Sequence, residues 1–255
     1  MGDTATNIER YKIYFESFTK KFGDLLVLDN ITFGIEDGEF LVIVGPTGCG
    51  KTTLVKLLIG LLEPTRGDIY VSGRNIAHGT MEEKISVVFQ EDSLLPWRTV
   101  RKNIELPLEI RKETKEAVER KTKEMLTLLD LGEQADYMPS QLSRGMRQRV
   151  AIARSYALDP DIIVMDEPFG HFDATSREHI EKMIIDVWKK TKATILFVTH
   201  NIEEAVFLAS RIIVLSQKPT GIKEVIPIDQ PHPRIFTDPG FIEIRRRVTE
   251  LIKWW

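Results

Sequence analysis

Apolar positions along the chain fall into short alternating or continuous runs broken by longer stretches of helical spacing. Residues 13–18 and 25–35 read as strands, joined by a turn at Phe22-Gly23-Asp24. Asp37-Gly38 marks a second turn before the uninterrupted apolar run 40–44, whose length and turn-bounded ends predict a buried strand. Leu54, Leu57, Leu58 and Leu61 then recur at i, i+3, i+4 and i+7, which predicts a helix over 51–62 ended by Pro64 and Gly67. Strands are expected again at 68–71 and 85–89. Residues 95–131 are helical in pattern, and the charged run 112–123 reads as a solvated helix face. Strands return at 162–165, 194–198, 212–215 and 223–226. The tail 241–255 sets Ile242, Val248, Leu251 and Ile252 among arginines, as in an amphipathic helix docked on the body.

This alternation predicts an α/β fold with an antiparallel β N-terminal part and an inserted α-helical subdomain. The expected division is a core of residues 1–94 and 150–225, a helical subdomain of 95–149, and a C-terminal tail of 226–255 packing on the core. At 255 residues and 42% hydrophobic content, the chain is long enough for a sizeable core. Charged residues make up 29% and the net charge is -3, with signs interspersed, so no basic field favours nucleic acid. One cysteine, Cys49, leaves no internal disulfide to form. No run approaches the ~20 apolar residues that span a bilayer, and the first residues have no signal-peptide pattern.

Candidate chemistry concentrates where strands end. Gly45-Pro46-Thr47-Gly48-Cys49-Gly50-Lys51-Thr52-Thr53 follows an apolar strand and opens a helix, matching G-x-x-x-x-G-K-[ST] in the context that gives the motif its meaning. The glycines let successive N–H groups converge on an anion, and the helix N-terminus adds its positive end. Lys51 is placed to reach the outer phosphates of ATP, and the Thr52 hydroxyl to ligate Mg²⁺. Cys49 reads as a small loop residue. Its place at a helix start would lower its thiol pKa, and bound ATP would shield it.

Ile162-Ile163-Val164-Met165-Asp166-Glu167 is an apolar strand ending in two carboxylates. Asp166 suits a metal ligand, and Glu167 suits a general base for the attacking water. His200, after the strand 193–199, would hold the γ-phosphate and orient that water. Asn201 is a candidate helix cap with Glu204 three residues on. Gln90 ends another strand, where its amide could touch Mg²⁺ or the water; by itself it reads as a solvated glutamine.

Between Gln90 and Asp166 lies Gln141-Leu142-Ser143-Arg144-Gly145-Met146-Arg147-Gln148-Arg149. This order of segments resembles ABC transporter nucleotide-binding subunits over nearly the whole chain, and Leu142–Met146 looks like their signature sequence. The resemblance implies a P-loop NTPase (RecA-like) core. It also implies that Ser143, Gly145 and Met146 contact the ATP held by the opposite subunit of a dimer. Asp173 falls at the family's aspartate that communicates across the dimer. Phe22 falls at its adenine-stacking aromatic, although a core or turn aromatic would also fit there. Two departures stand out: Arg144 where the family has glycine, and His171-Phe172 before Asp173.

Within the family, Phe89-Gln90-Glu91-Asp92-Ser93-Leu94-Leu95-Pro96-Trp97 is similar to importers of nitrate, sulfonates and taurine, as are Met165–Gly170, Ile213–Ser216 and Pro231-His232-Pro233-Arg234. The resemblance implies an ATPase peripheral to the cytoplasmic face of the inner membrane. Its partners would be transmembrane permease subunits, a second ATPase subunit and, indirectly, a periplasmic or extracellular solute-binding protein. ATP-driven dimer closure would power import of a small anion or related solute. The rival reading is the ATPase of an exporter or lipid-trafficking complex. DNA-repair ATPases need long coiled coils, for which the span from Lys51 to Leu142 is too short, and ribosome-acting relatives carry two cassettes per chain.

Overall fold

The structure is a computed structural model that describes residues 8–77, 83–90, 93–170, 172 and 174–252, with only the backbone described at 174–176. In chain order the elements are β1 (Ile13–Phe22), β2 (Leu25–Ile35), β3 (Phe40–Val44), α1 (Lys51–Leu58), β4 (Arg66–Val71), β5 (Arg74–Asn75), β6 (Ile85–Val88), α2 (Val100–Ile110), α3 (Lys115–Leu128), α4 (Arg144–Tyr156), β7 (Ile162–Asp166), α5 (Ala174–Thr191), β8 (Thr194–Thr199), α6 (Ile202–Leu208), β9 (Arg211–Leu215), β10 (Ile222–Pro227) and α7 (Pro239–Ile252). They group into two compact units, residues 1–83 with 192–255, and residues 84–191.

The first unit carries an antiparallel sheet in the order β2-β1-β4-β5. Ile13 pairs with Ile35 and Phe22 with Leu25, so the turn between β1 and β2 falls at Gly23-Asp24 as the sequence predicts. Phe15 and Phe33 stack at 4.4 Å across this pair. The second sheet of this unit places β3 between β8 and β9, parallel to both, with β10 antiparallel on β9. All five residues of β3 and all six of β8 are buried, as expected for strands covered on both faces. Val44 lies beside both Thr199 and Val214, so the chain leaves three strands at one edge.

Helix α1 ends at Leu58, short of the expected Leu62. Gly60 takes φ +73, Gly60 N–H donates to Leu57 O at 3.1 Å, and Leu61 N–H to Lys56 O at 2.9 Å. This paired pattern satisfies the terminal carbonyls and stops the helix. It leaves Leu61 63% exposed, although its spacing placed it on the inward face. Helix α7 docks through Phe241, Val248 and Ile252, while Ile242 stays 43% exposed.

The second unit pairs β6 with β7 in parallel, Val88 beside Met165. The helical stretch expected over 95–131 divides in two. Lys112 takes φ +58, and Thr114 restarts the helix by accepting a hydrogen bond from Ala117 N–H. The charged run is mostly solvated, but Lys121 is buried and holds Asp159 at 2.5 Å. No helix among the described residues is long and apolar enough to cross a membrane.

Candidate functional site

In the first unit, the phosphate loop links the buried end of β3 to α1. Gly50 is the residue before the helix and has φ +116, and a methyl there would lie 2.9 Å from both Val27 and Leu28. Glycine is required on both counts. Gly45 and Pro46 are buried and Thr47 and Gly48 exposed, so the loop has a fixed stem and an open crest. Lys51 is 4% exposed, and its Nζ donates to Gly45 O at 2.9 Å and Pro46 O at 3.0 Å. Thr52 is exposed on the first turn and Thr53 half-buried.

Cys49, read as a small loop residue whose helix-start position could still lower its thiol pKa, shows no such lowering. Its side chain is buried, and that burial pushes the thiol pKa up, outweighing the lowering fields of Lys51 and Lys218. A helix start lowers a thiol pKa only where its field and those of nearby charges outweigh the cost of burying the thiolate.

Phe22 closes β1 at the turn with its ring 45% exposed and Lys20 Nζ 5.0 Å over the ring centre. It is therefore a turn aromatic with an accessible face, not a core residue. His200 is exposed at the end of β8, in the same unit as the phosphate loop. Asn201 caps α6, accepting from Glu203 N–H at 2.9 Å and Glu204 N–H at 3.3 Å. The reciprocal half of the expected box is absent. Glu204 accepts instead from the Thr199 hydroxyl at 2.6 Å, and Thr199 Oγ1 takes the Asn201 N–H at 3.0 Å.

In the second unit, Asp166 is buried at the end of β7. Glu167 follows at φ +48, a region sparsely used by residues with a Cβ and met disproportionately at functional sites. A methyl on Gly170 would lie 3.3 Å from Gln90 Nε2 and 3.7 Å from Glu167 O, so Gln90 sits against the turn that carries Glu167. Ser143 is the cap of α4, its hydroxyl accepting from Met146 N–H at 3.2 Å. Arg144 occupies the first helical position, exposed, and leaves that cap intact. Arg147 Nη1 donates to Leu142 O at 2.9 Å and secures the segment behind the cap. A methyl on Gly145 would meet the Phe172 ring at 3.1 Å. His171 and Asp173 lie outside the described residues, as do Glu91 and Asp92.

Three residues were not singled out from sequence as site residues. Buried Asn103 accepts from Leu95 N–H at 2.8 Å and donates to the carbonyls of Leu95, Arg98 and Thr99, fixing the loop that exposes Trp97 at 70%. Gln217 and Lys218 line a cavity of about 430 Å³ together with Pro46, Thr47, Gly48 and Cys49. No local pattern marks any of the three, and only the fold brings Gln217 and Lys218 to the phosphate loop.

Among the described residues no cluster of three or more His, Cys, Asp or Glu side chains could hold a metal. The candidate donors Thr52, Gln90 and Asp166 offer only oxygen from hydroxyl, amide and carboxylate. That chemistry suits Mg²⁺, which takes few protein ligands and completes its shell with water and substrate phosphate.

Comparison with known proteins agrees with this chemistry. The family described as ABC transporter matches residues 28–170. The aliphatic sulfonates import ATP-binding protein SsuB of Bacillus cereus is 39% identical over 93% of this chain and 92% of its own. An uncharacterized ABC transporter ATP-binding protein of Methanocaldococcus jannaschii is 40% identical over 96% and 92%. The ATP-binding cassette MJ0796, solved as a dimer in a post-hydrolysis state with ADP and Pi, superposes with a TM-score of 0.75 at 30% identity, covering 86% of this chain and all of that one. The fold is also that of cbiO1 from Clostridium perfringens, with a TM-score of 0.80, 23% identity and coverage of 95% and 96%.

Proposed function

The chain belongs to the ABC transporter family as an ATP-binding subunit and hydrolyses ATP, and from that premise we propose that it powers import of a small anion or related solute through a membrane permease. The observation that carries the ATP site is the phosphate loop, exposed at Thr47-Gly48 before α1 with Lys51 buried at its base.

Each residue then has a role. Backbone N–H groups of the loop and Lys51 bind the phosphates, and Phe22 stacks on the base. Thr52, Gln90 and Asp166 are the residues that would hold Mg²⁺, which when bound neutralises charge on the phosphates. Glu167 takes the proton of the attacking water, and His200 orients the γ-phosphate. Ser143, Gly145 and Met146 start a capped helix, a second anion-binding end, and bind the ATP of a partner copy. Asp173 belongs to the same trans contact.

Two ATP molecules would close the dimer, and loss of the γ-phosphate would release it. The exposed Trp97, on a loop fastened by Asn103, suits contact with a permease helix. Such a subunit works on the cytoplasmic face of the inner membrane, served indirectly by a solute-binding protein. The import reading follows the relative named for aliphatic sulfonate import.

The test is reconstitution of the ATPase with its co-purified permease in liposomes. Receptor loaded with a sulfonate, taurine or nitrate should stimulate ATP hydrolysis and drive uptake. Hydrolysis coupled to outward movement would instead establish an exporter.

A further inference from the structure

The loop between β9 and β10 is fastened to the phosphate loop by contacts that leave its tip free. Val214 of β9 lies beside Val44 of β3, so the chain leaves β9 at the edge where the phosphate loop leaves β3. A methyl on Gly45 would sit 3.0 Å from Leu215 Cβ. On the far side of the tip, Thr220 is fully buried. Its hydroxyl donates to Cys49 O, its N–H donates to Val27 O at 3.0 Å, and its carbonyl accepts from Asp29 N–H at 2.9 Å.

Between these anchors Gln217 and Lys218 are exposed, and both line the cavity formed with Thr47 and Gly48. The Lys218 ammonium makes no hydrogen bond or ion pair with any described residue. Lys51, by contrast, is buried with its Nζ on loop carbonyls. Among the described residues lining that cavity Lys218 alone carries a positive side chain, and a cation beside an anion-binding loop attracts a polyanion seated there. The field of Lys218 also reaches the Cys49 thiol inside the loop, so its charge acts on the loop itself.

We propose that Lys218 is a further nucleotide-binding residue, contacting the phosphate chain of ATP seated on the Gly45–Thr53 loop, with Gln217 as a polar neighbour. This rests on the reading of that loop as the ATP site. The contact is charge-assisted but solvent-facing, so it is sensitive to both side-chain charge and salt.

Titration of the full chain with the non-hydrolysable analogue adenylyl imidodiphosphate and Mg²⁺ tests it. Lys218→Glu should weaken Kd about tenfold and Lys218→Ala about threefold, with Lys218→Arg within about twofold of the parent. The Lys218→Glu deficit should shrink as salt rises. Matching melting temperatures exclude misfolding, as expected for an exposed position. Lys51→Ala is the reference. If it abolishes binding while Lys218→Glu leaves Kd unchanged, the role of Lys218 is overturned alone. If neither variant changes Kd, the phosphate-loop reading falls with it.

Discussion

The Thr199 hydroxyl donates a 2.6 Å hydrogen bond to the carboxylate of Glu204, which is 3% exposed, and takes the N–H of Asn201 at 3.0 Å. His200 is the residue between the two ends of this relay. The backbone on either side of the imidazole is thus tied to one hydroxyl. Thr199→Val keeps the β-branched shape of a buried strand residue but removes one donor from a buried carboxylate. The expected cost is about 1–3 kcal/mol. The melting temperature should fall by several degrees, and ATP turnover should fall with it as His200 loses its fixed start. A melting temperature equal to the parent's would show that the bond contributes nothing net.

Glu167→Gln keeps size and hydrogen bonding but removes the proton acceptor. Hydrolysis should drop by roughly 10²–10⁴-fold, the usual worth of a general base. ATP affinity should persist, and the nucleotide-bound dimer should accumulate on size-exclusion chromatography. Turnover near the parent's would assign the base elsewhere.

The phosphate loop was legible because all its chemistry lies within nine consecutive residues and its flanking strand and helix are marked by local patterns. The start of α4 was legible for the same reason, with Ser143 capping it as a serine before a helix does. What periodicity could not show was where Gly60 stops α1: Leu61 continues the apolar spacing, yet the left-handed residue before it turns the chain away. Asn103 and Lys218 were illegible for a different reason. Lys218 meets the phosphate loop only through the fold, whereas Asn103 holds a segment close by in sequence but, as a lone polar residue, carries no periodic signal. Pro231-His232-Pro233-Arg234 entered as a point of family likeness; its physical role is a cap on α6.

Cys49 should be slow to alkylate in the native protein at neutral pH, with or without ATP, and fast once the chain unfolds. Its raised pKa keeps it a protonated thiol where an exposed one is half ionised near 9.0. The unfolded chain sheds this proton first, so the contribution is complete below that pH and is lost as pH rises from it through the higher pKa of the folded thiol. Denaturant midpoints compared between Cys49→Ser and the parent across alkaline pH would expose this component. Rapid native labelling that ATP suppresses would restore the reactive-thiol picture.

Arg234 is 6% exposed, and its guanidinium donates to the carbonyls of Val206, Phe207 and Ala209 at 2.8, 3.1 and 2.7 Å and to Gln230 O. Among the described residues it has no carboxylate partner. Burial lowers its pKa to about 10, which still leaves it charged at neutral pH. It thus gathers the carbonyls at the end of α6, where a positive charge also meets the negative end of the helix. Arg234→Met preserves the stem but strands three buried acceptors, at an expected cost of about 2–4 kcal/mol. Arg234→Lys should recover only part, because a single ammonium cannot span carbonyls that a planar fork reaches together. The order of melting temperatures should be parent, then Lys, then Met. If Met melts with the parent, water satisfies those carbonyls and the guanidinium is not the cap.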